Sequence, residues 1–406
     1  MADITRRNLL AAAAIAPGLA RAEPGVIAAR SFDLELAPGL IHLNTASVGP
    51  VSASVRAAVA DAWMRLERDP VRMTYGREPD TVVSQADAVR GKVAALIGCD
   101  SDEVLLTSGT TDGMIKLAQA LPLVDGDRVL MTDQEHEGGE TGWLYRGARD
   151  GIGIDRVALP FGQTSAETLV ARFAAALRPR TRAIIVSHVV SASGLRMPVA
   201  AIARLARDAG ALCIVDGAQA VGQMPVDVRR IGCDAYAASG HKWLMGPKGT
   251  GFLYIARPAQ ERLGPPQWLL TRDYGGNSSG TGPAPLMVGL GLAIDRIDAL
   301  GTKAVEQHNA ALAARISAGL AVLDDLSMIG PRRGELASAL VAARLPDAID
   351  SRVLRDRMRG RHGIIIKMAE KRWFNGIRLS PHIFNDAAQV DAALNALRIE
   401  LDQFGA

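Results

Sequence analysis

The chain has 406 residues, 48% hydrophobic and 22% charged, enough to bury a large core and divide into two domains. A formal net charge of +3, with no basic stripe interleaved with aromatics, excludes nucleic acid as an expected partner. The three cysteines, Cys99, Cys213 and Cys233, lack metal-ligand spacing and are odd in number, so neither a metal nor a disulfide framework is expected.

The chain opens with Thr5-Arg6-Arg7-Asn8-Leu9-Leu10, twin arginines ahead of a mildly apolar run from Ala11 to Leu19. Ala20-Arg21-Ala22 then supplies a small-x-small cleavage site. Residues 1–22 read as a twin-arginine signal peptide, an address for the twin-arginine export machinery. Pro17 and Gly18 interrupt the run, and no other stretch is apolar enough to span a membrane. The expectation is a mature periplasmic protein with no membrane span.

Ser52 to Glu67 and Val82 to Ile97 have helical periodicity. Between them, Asp69 to Pro79 is mixed and polar, within reach of a substrate or a partner subunit, and its role stays open. Val104 to Thr107 reads as a strand and Met114 to Ala120 as a helix, joined by Ser108-Gly109-Thr110-Thr111-Asp112-Gly113. Small residues and hydroxyls at such a turn leave backbone N–H groups free to hold a phosphate, although Ser and Thr also cap helices routinely. Arg128 to Thr132 is the next strand, ending at Asp133-Gln134-Glu135-His136-Glu137. Strand-like Ile154 to Ala158, helix-like Ala166 to Leu177, strand-like Ala183 to His188 and helical Pro198 to Asp208 follow. This alternation predicts an α/β fold, a mainly parallel sheet flanked by helices, with site residues at the C-terminal strand ends.

Two stretches carry the chemistry. Leu212-Cys213-Ile214-Val215-Asp216 is an apolar run ending in a carboxylate, the pattern of a buried parallel strand whose tip enters a site. Taken alone, Asp216 also reads as a helix N-cap. Ser239-Gly240-His241-Lys242 follows, with Trp243, Leu244 and Met245 and then the turn Gly246-Pro247-Lys248-Gly249. Apolar neighbours desolvate the Lys242 ammonium and lower its pKa toward the range where the free amine is a nucleophile toward aldehydes, that of pyridoxal 5'-phosphate included.

After a strand over Phe252 to Ile255, Gly275 to Pro285 is rich in Gly, Pro and Ser. Leu286 to Leu326 reads as mostly helical, and Leu336 to Ala343 and Gly363 to Met368 as strands. Arg378, in Gly376-Ile377-Arg378-Leu379-Ser380-Pro381-His382, has the planar fork that clamps a carboxylate, or else serves a surface ion pair.

Asp216-Gly217-Ala218-Gln219, Ser239-Gly240-His241-Lys242 and the Gly-Pro-Lys-Gly turn together resemble the class V aminotransferase family, which includes the cysteine desulfurases. Ile41-His42-Leu43-Asn44-Thr45-Ala46-Ser47-Val48-Gly49-Pro50 is similar to its isopenicillin N epimerase-like branch. The resemblance runs from about Ile41 to the C-terminus. It implies a fold type I transferase with pyridoxal 5'-phosphate on Lys242, Asp216 at the ring nitrogen and Gln219 at the ring's phenolic oxygen. It further implies that Thr110, Thr111, Ser239 and His241 lie around the cofactor, with His136 stacked on its ring. Arg378 is implied to hold the substrate carboxylate. Thr281 is implied to reach the phosphate of a neighbouring subunit, which requires a homodimer. The related desulfurases have an asparagine near Ser191, which this chain lacks.

The expected domains are 1–22, the signal peptide; 23–285, an N-terminal segment plus the large cofactor-binding domain; and 286–406, a linker helix and a smaller α+β C-terminal domain. Desulfurases use a mobile nucleophilic cysteine before the substrate arginine, and no cysteine lies between Leu354 and Arg378. The expected function is therefore chemistry at Cα or Cβ of an amino acid or a peptide with a free amino carboxylate: epimerisation, C–S cleavage or transamination. A cysteine desulfurase and a non-catalytic binding protein of the same fold are the alternatives.

Overall fold

The computed structural model describes residues 32–263, 282–323 and 326–404. Seven strands make the central sheet. In chain order they are β2 (Val104–Thr107), β3 (Arg128–Thr132), β4 (Gly153–Val157), β5 (Thr181–Ser187), β6 (Leu212–Asp216), β7 (Ala235–Ser239) and β8 (Gly251–Ile255), β1 belonging to a different sheet. They lie in the order β2-β8-β7-β6-β5-β3-β4. Every pairing is parallel except those of β8, which runs against β7 and β2. The chain passes from β7 to β8 through residues 240–250 without a helical crossover, so it can only return antiparallel. That short return carries Lys242.

The inner strands are continuous apolar runs because both faces of the sheet are covered. Ile184, Val186, Cys213 and Val215 join the core on one face. Their chain neighbours Ala183, Ile185, Leu212 and Ile214 join the core on the other, as the two-residue strand period requires. Each such fully buried Ile, Leu or Val contributes roughly 1.5–3 kcal/mol.

A second sheet of four antiparallel strands has the order β12-β13-β10-β9, with β9 at Ser327–Ile329, β10 at Val341–Arg344, β12 at Lys367–Met368 and β13 at Gly376–Leu379. The helices Thr302–Leu320, Ser351–His362 and Ala387–Asp402 bury Leu312, Ile316, Leu354, Met358, Val390 and Leu397 in its core. Leu43, from the other end of the chain, is buried in the same core. It is brought there by β1 (Ile41–His42), which pairs in parallel with β11 (Ile364–Ile365). The N-terminal motif thus meets the C-terminal elements through Ile41 to Asn44, and its later residues turn toward the large sheet, the Gly49 N–H donating to His241 O at 2.7 Å.

Four expected elements differ in detail. The strand expected over Leu336 to Ala343 starts only at Val341 and runs to Arg344, residues 336–340 being turn and loop. The single strand expected over Gly363 to Met368 is two short ones, since the chain leaves β1 at Ile366 and joins β13. The long helix expected from Leu286 breaks at Gly301, whose φ of +79° is left-handed, giving Ala284–Leu300 and Thr302–Leu320. The undecided stretch after Asp69 contains a short helix, Pro70–Tyr75, capped by Asp69. No helix among the described residues is long and apolar enough to cross a membrane.

Candidate active site

Strands β2, β3, β5, β6 and β7 end on one edge of the central sheet, and a cavity of about 270 Å³ lies there. Asp216 is the last residue of β6 and is buried, its Oδ1 accepting the Ala218 N–H at 2.9 Å. Its Oδ2 accepts no hydrogen bond among the described residues and is left to the cavity. After β2, Gly109 has a φ of +151°, a backbone that glycine supplies without strain, and the helix Thr110–Ala120 starts at the cavity wall. Ser239, at the end of β7, meets that start. Its Oγ accepts the Thr110 N–H at 2.9 Å and lies 2.8 Å from the Thr110 hydroxyl.

Lys242 lines the cavity and is half-buried. Burial pushes its ammonium down to about 8, the Asp216 carboxylate opposing and Arg378 and Lys367 adding to the fall. The backbone around it is held tightly. Met245 has a φ of +56°, costly for a residue with a side chain, and the Gly246 N–H donates to Gly240 O at 2.8 Å. Gly49 packs on the Lys242 carbonyl so closely that a Cβ there would stand 2.2 Å from its oxygen. His382, from the Ser-Pro-His motif, donates through Nε2 to Trp243 O at 2.8 Å.

His136 caps the helix Glu137–Asp150, its Nδ1 accepting the Gly138 N–H at 3.1 Å, and its Nε2 has no hydrogen-bond partner among the described residues at the cavity wall. Burial and then Lys242 lower its pKa. His241 also lines the cavity, pushed down to about 4 by burial and Lys242. Gln219 reaches the cavity with much of its amide committed: Nε2 donates to Ala46 O at 2.9 Å and Oε1 accepts from Trp243 Nε1 at 2.8 Å. One amide hydrogen remains for a ligand. Thr111 lines the cavity as well, whereas Thr281 lies outside the described residues.

Arg378, on β13, comes from the second sheet and is buried. It donates to Ser191 O at 2.8 Å, Ser47 Oγ at 3.1 Å and Asn44 Oδ1 at 3.4 Å, while its Nε has no partner among the described residues. It forms no ion pair among the described residues, and burial pushes it down to about 10. Glu370, on the same wall, opposes that fall from a distance, and a buried guanidinium without a direct carboxylate partner calls for an anion.

The structure therefore gathers Thr110, Thr111, His136, Asp216, Gln219, Ser239, His241, Lys242 and Arg378 around one cavity. It adds groups that the sequence reading did not assign: Ser47, Lys367, Glu370 and Trp373 on the wall, and Glu135 behind it. Lys367, a lone charge in Ile364-Ile365-Ile366-Lys367-Met368, had a local signal of burial; the others had none. The 367–373 segment is fastened to the large sheet's side by Arg372, which donates to Glu140 Oε1 at 2.8 Å and Glu135 O at 3.0 Å.

The family model described as Aminotransferase class-V matches residues 41–393. The chain belongs to the class V aminotransferase family. Its cofactor is accordingly pyridoxal 5'-phosphate, and the fold is that of fold type I enzymes of this group. The isopenicillin N epimerase of Streptomyces clavuligerus is 31% identical over 382 residues, 89% of this chain and 95% of that protein. A cysteine desulfurase of Enterobacter sp. (strain 638) is 31% identical over 328 residues, 73% of this chain and 77% of that protein. Among solved structures, an apo cysteine desulfurase from Thermococcus onnurineus NA1 superposes with a TM-score of 0.81 at 22% identity, covering 91% of this chain and 97% of that one. The residues present fit the cofactor: a helix N-terminus with Thr110, Thr111 and Ser239 for a phosphate, Asp216 Oδ2 for a protonated ring nitrogen, and Lys242 for the aldehyde.

Proposed function

We propose that this enzyme acts at Cα or Cβ of an α-amino carboxylate, an amino acid or a peptide, beginning with removal of the Cα proton. The observation that carries this reading is that the buried Arg378, with no carboxylate of its own among the described residues, shares one cavity with Lys242. The bound cofactor supplies an electron sink for the charge left at Cα. The chain's own residues do the rest. Thr110, Thr111, Ser239 and His241 hold the phosphate end, His136 clamps the ring face, and Gln219 offers its remaining amide hydrogen. Asp216 keeps the ring nitrogen protonated. Arg378 takes the substrate carboxylate through its fork and so sets the Cα–H bond relative to Lys242. With its pKa near 8, the Lys242 amine is available as the base.

The likeness to isopenicillin N epimerase, spanning 95% of that protein, favours epimerisation over C–S cleavage or transamination. Sulfur transfer to a cysteine of the enzyme is disfavoured. None of Cys99, Cys213 and Cys233 lines the cavity, and burial raises the pKa of each thiol. Likewise, the intact lysine, aspartate and arginine weigh against a binding protein without catalysis.

The test is a titration of the holoenzyme with amino acids and peptides, followed by the cofactor absorbance, in wild type and Arg378→Ala. Loss of the clamp is expected to weaken binding by about 2–4 kcal/mol. Equal apparent affinities would remove Arg378 from the reading.

The export reading rests on Arg6 and Arg7, which lie outside the described residues. Replacing both by lysine is expected to leave precursor in the cytoplasm, and an unchanged periplasmic yield contradicts it. The homodimer reading rests on Thr281 and is checked by sedimentation, a monomer at micromolar concentration speaking against it.

A further inference from the structure

A second cavity, of about 360 Å³, adjoins the first and shares Ser47, Lys367 and Met368 with it. Its wall includes Asn44, the isoleucines of β11 and two arginines, Arg355 and Arg359, from the helix Ser351–His362. No aspartate or glutamate among the described residues lines it.

Cations line both cavities: Arg378 the first, Arg355 and Arg359 the second, and Lys367 the two together. Lys367 and Arg378 are directly paired across β12 and β13, so both side chains leave the same face of that sheet. Arg355 and Arg359 are one turn apart on their helix, spaced to share a face. Like charges placed opposite each other in a sheet, or four apart on a helix, are each destabilising. Here both arrangements occur on the walls of two adjoining cavities, offset only in part by Glu370, whose charge bears on Lys367 and Arg378 from the first cavity, and by Asp356 beside Arg355. Arg355 Nη1 lies 3.6 Å from Met368 Sδ, while its Nε and Nη2 engage the exposed Asp356 at 2.9 and 2.7 Å. Arg359 and Lys367 form no ion pair among the described residues.

We propose that the second cavity is a subsite for a second carboxylate of the substrate, held by Arg355 and Arg359 with Lys367 between the two sites. The substrate class is then an amino acid or peptide with one amino carboxylate at Arg378 and another acid group some atoms away. This deepens the reading of the first cavity and rests on it. Carboxylate is the acid group that amino acids and peptides carry, and guanidinium forks match it in pairs.

The test uses holoenzyme and three matched pairs of probes: L-glutamate with L-norvaline, L-2-aminoadipate with L-norleucine, and L-2-aminopimelate with L-2-aminoheptanoate. Within each pair a methyl replaces the distal carboxylate. Apparent affinities are read from the cofactor spectrum. For at least one chain length, the diacid is expected to bind about tenfold more tightly than its partner, an advantage that shrinks with added salt. In Arg355→Ala/Arg359→Ala that ratio falls to near one, and in Arg355→Lys/Arg359→Lys much of it returns. Thermal melting checks that both variants fold. A ratio near one for every pair in wild type, or a ratio unchanged in the alanine variant, overturns the subsite. Arg378→Ala separates the two readings, because it weakens both members of a pair alike. If it weakens neither, the amino-carboxylate reading fails, while the ratio still reports on the second site.

Discussion

Ser187 donates its hydroxyl hydrogen to Glu135 Oε2 at 2.5 Å, and Ser187 is the residue paired with Asp216 in the neighbouring strand. A fully buried carboxyl thus stands beside the carboxylate assigned to the cofactor ring. Thr132 donates to the other oxygen of Glu135 at 2.7 Å. Burial pushes Glu135 up to about 7; the two hydroxyls oppose the rise, and the charge of Asp216 adds to it.

The sign of the pH effect follows. A carboxyl whose folded pKa exceeds its unfolded one stabilises the fold most below the unfolded value, and that gain is lost as pH rises through the folded pKa. From pH 5 to pH 8, wild type should lose about 2 kcal/mol relative to Glu135→Gln, whose amide does not titrate. Urea unfolding of cofactor-saturated protein at both pH values measures this. A difference that does not change with pH contradicts it.

Lys242 gives a kinetic prediction. With an amine pKa of about 8, roughly a tenth is neutral at pH 7 and half at pH 8, so cofactor loading into the apoenzyme should quicken about fivefold between them. The rate should level off at higher pH. Borohydride reduction and peptide mapping should then find the pyridoxyl group on Lys242. Finding it on Lys248 or Lys367 contradicts the assignment.

Much of the candidate site was legible because its residues sit at strand ends, where the chain must turn and short motifs mark the turn. Asp216 closes an apolar run, and Lys242 follows a strand that ends in the small residues Ala237, Ala238 and Ser239, so each announces itself locally. Arg378 was legible only through its motif, since nothing local says that β13 faces the large sheet. The amide of Gln219 shows the limit: its partners are Trp243 and Ala46, contacts made by folding rather than by spacing. Glu135 escaped for the same reason, its environment coming from Ser187 and Asp216. In the fold, the alternation of strands and helices predicted a parallel sheet, and β8 departs from it because no helix precedes it. The division of the Gly363 to Met368 strand depended on β1, more than 300 residues away in the chain.

The measurement that bears most directly on the account is hydrogen exchange at Cα. Holoenzyme in deuterium oxide is given a panel of amino acids and peptides, and the Cα proton signal is followed by NMR. The account predicts deuterium at Cα of at least one of them, with the exchange rate falling by about 10²–10⁴-fold in Lys242→Ala, the range for loss of a positioned acid–base group. Wild type that exchanges no Cα proton, or a Lys242→Ala variant that exchanges at the wild-type rate, contradicts it.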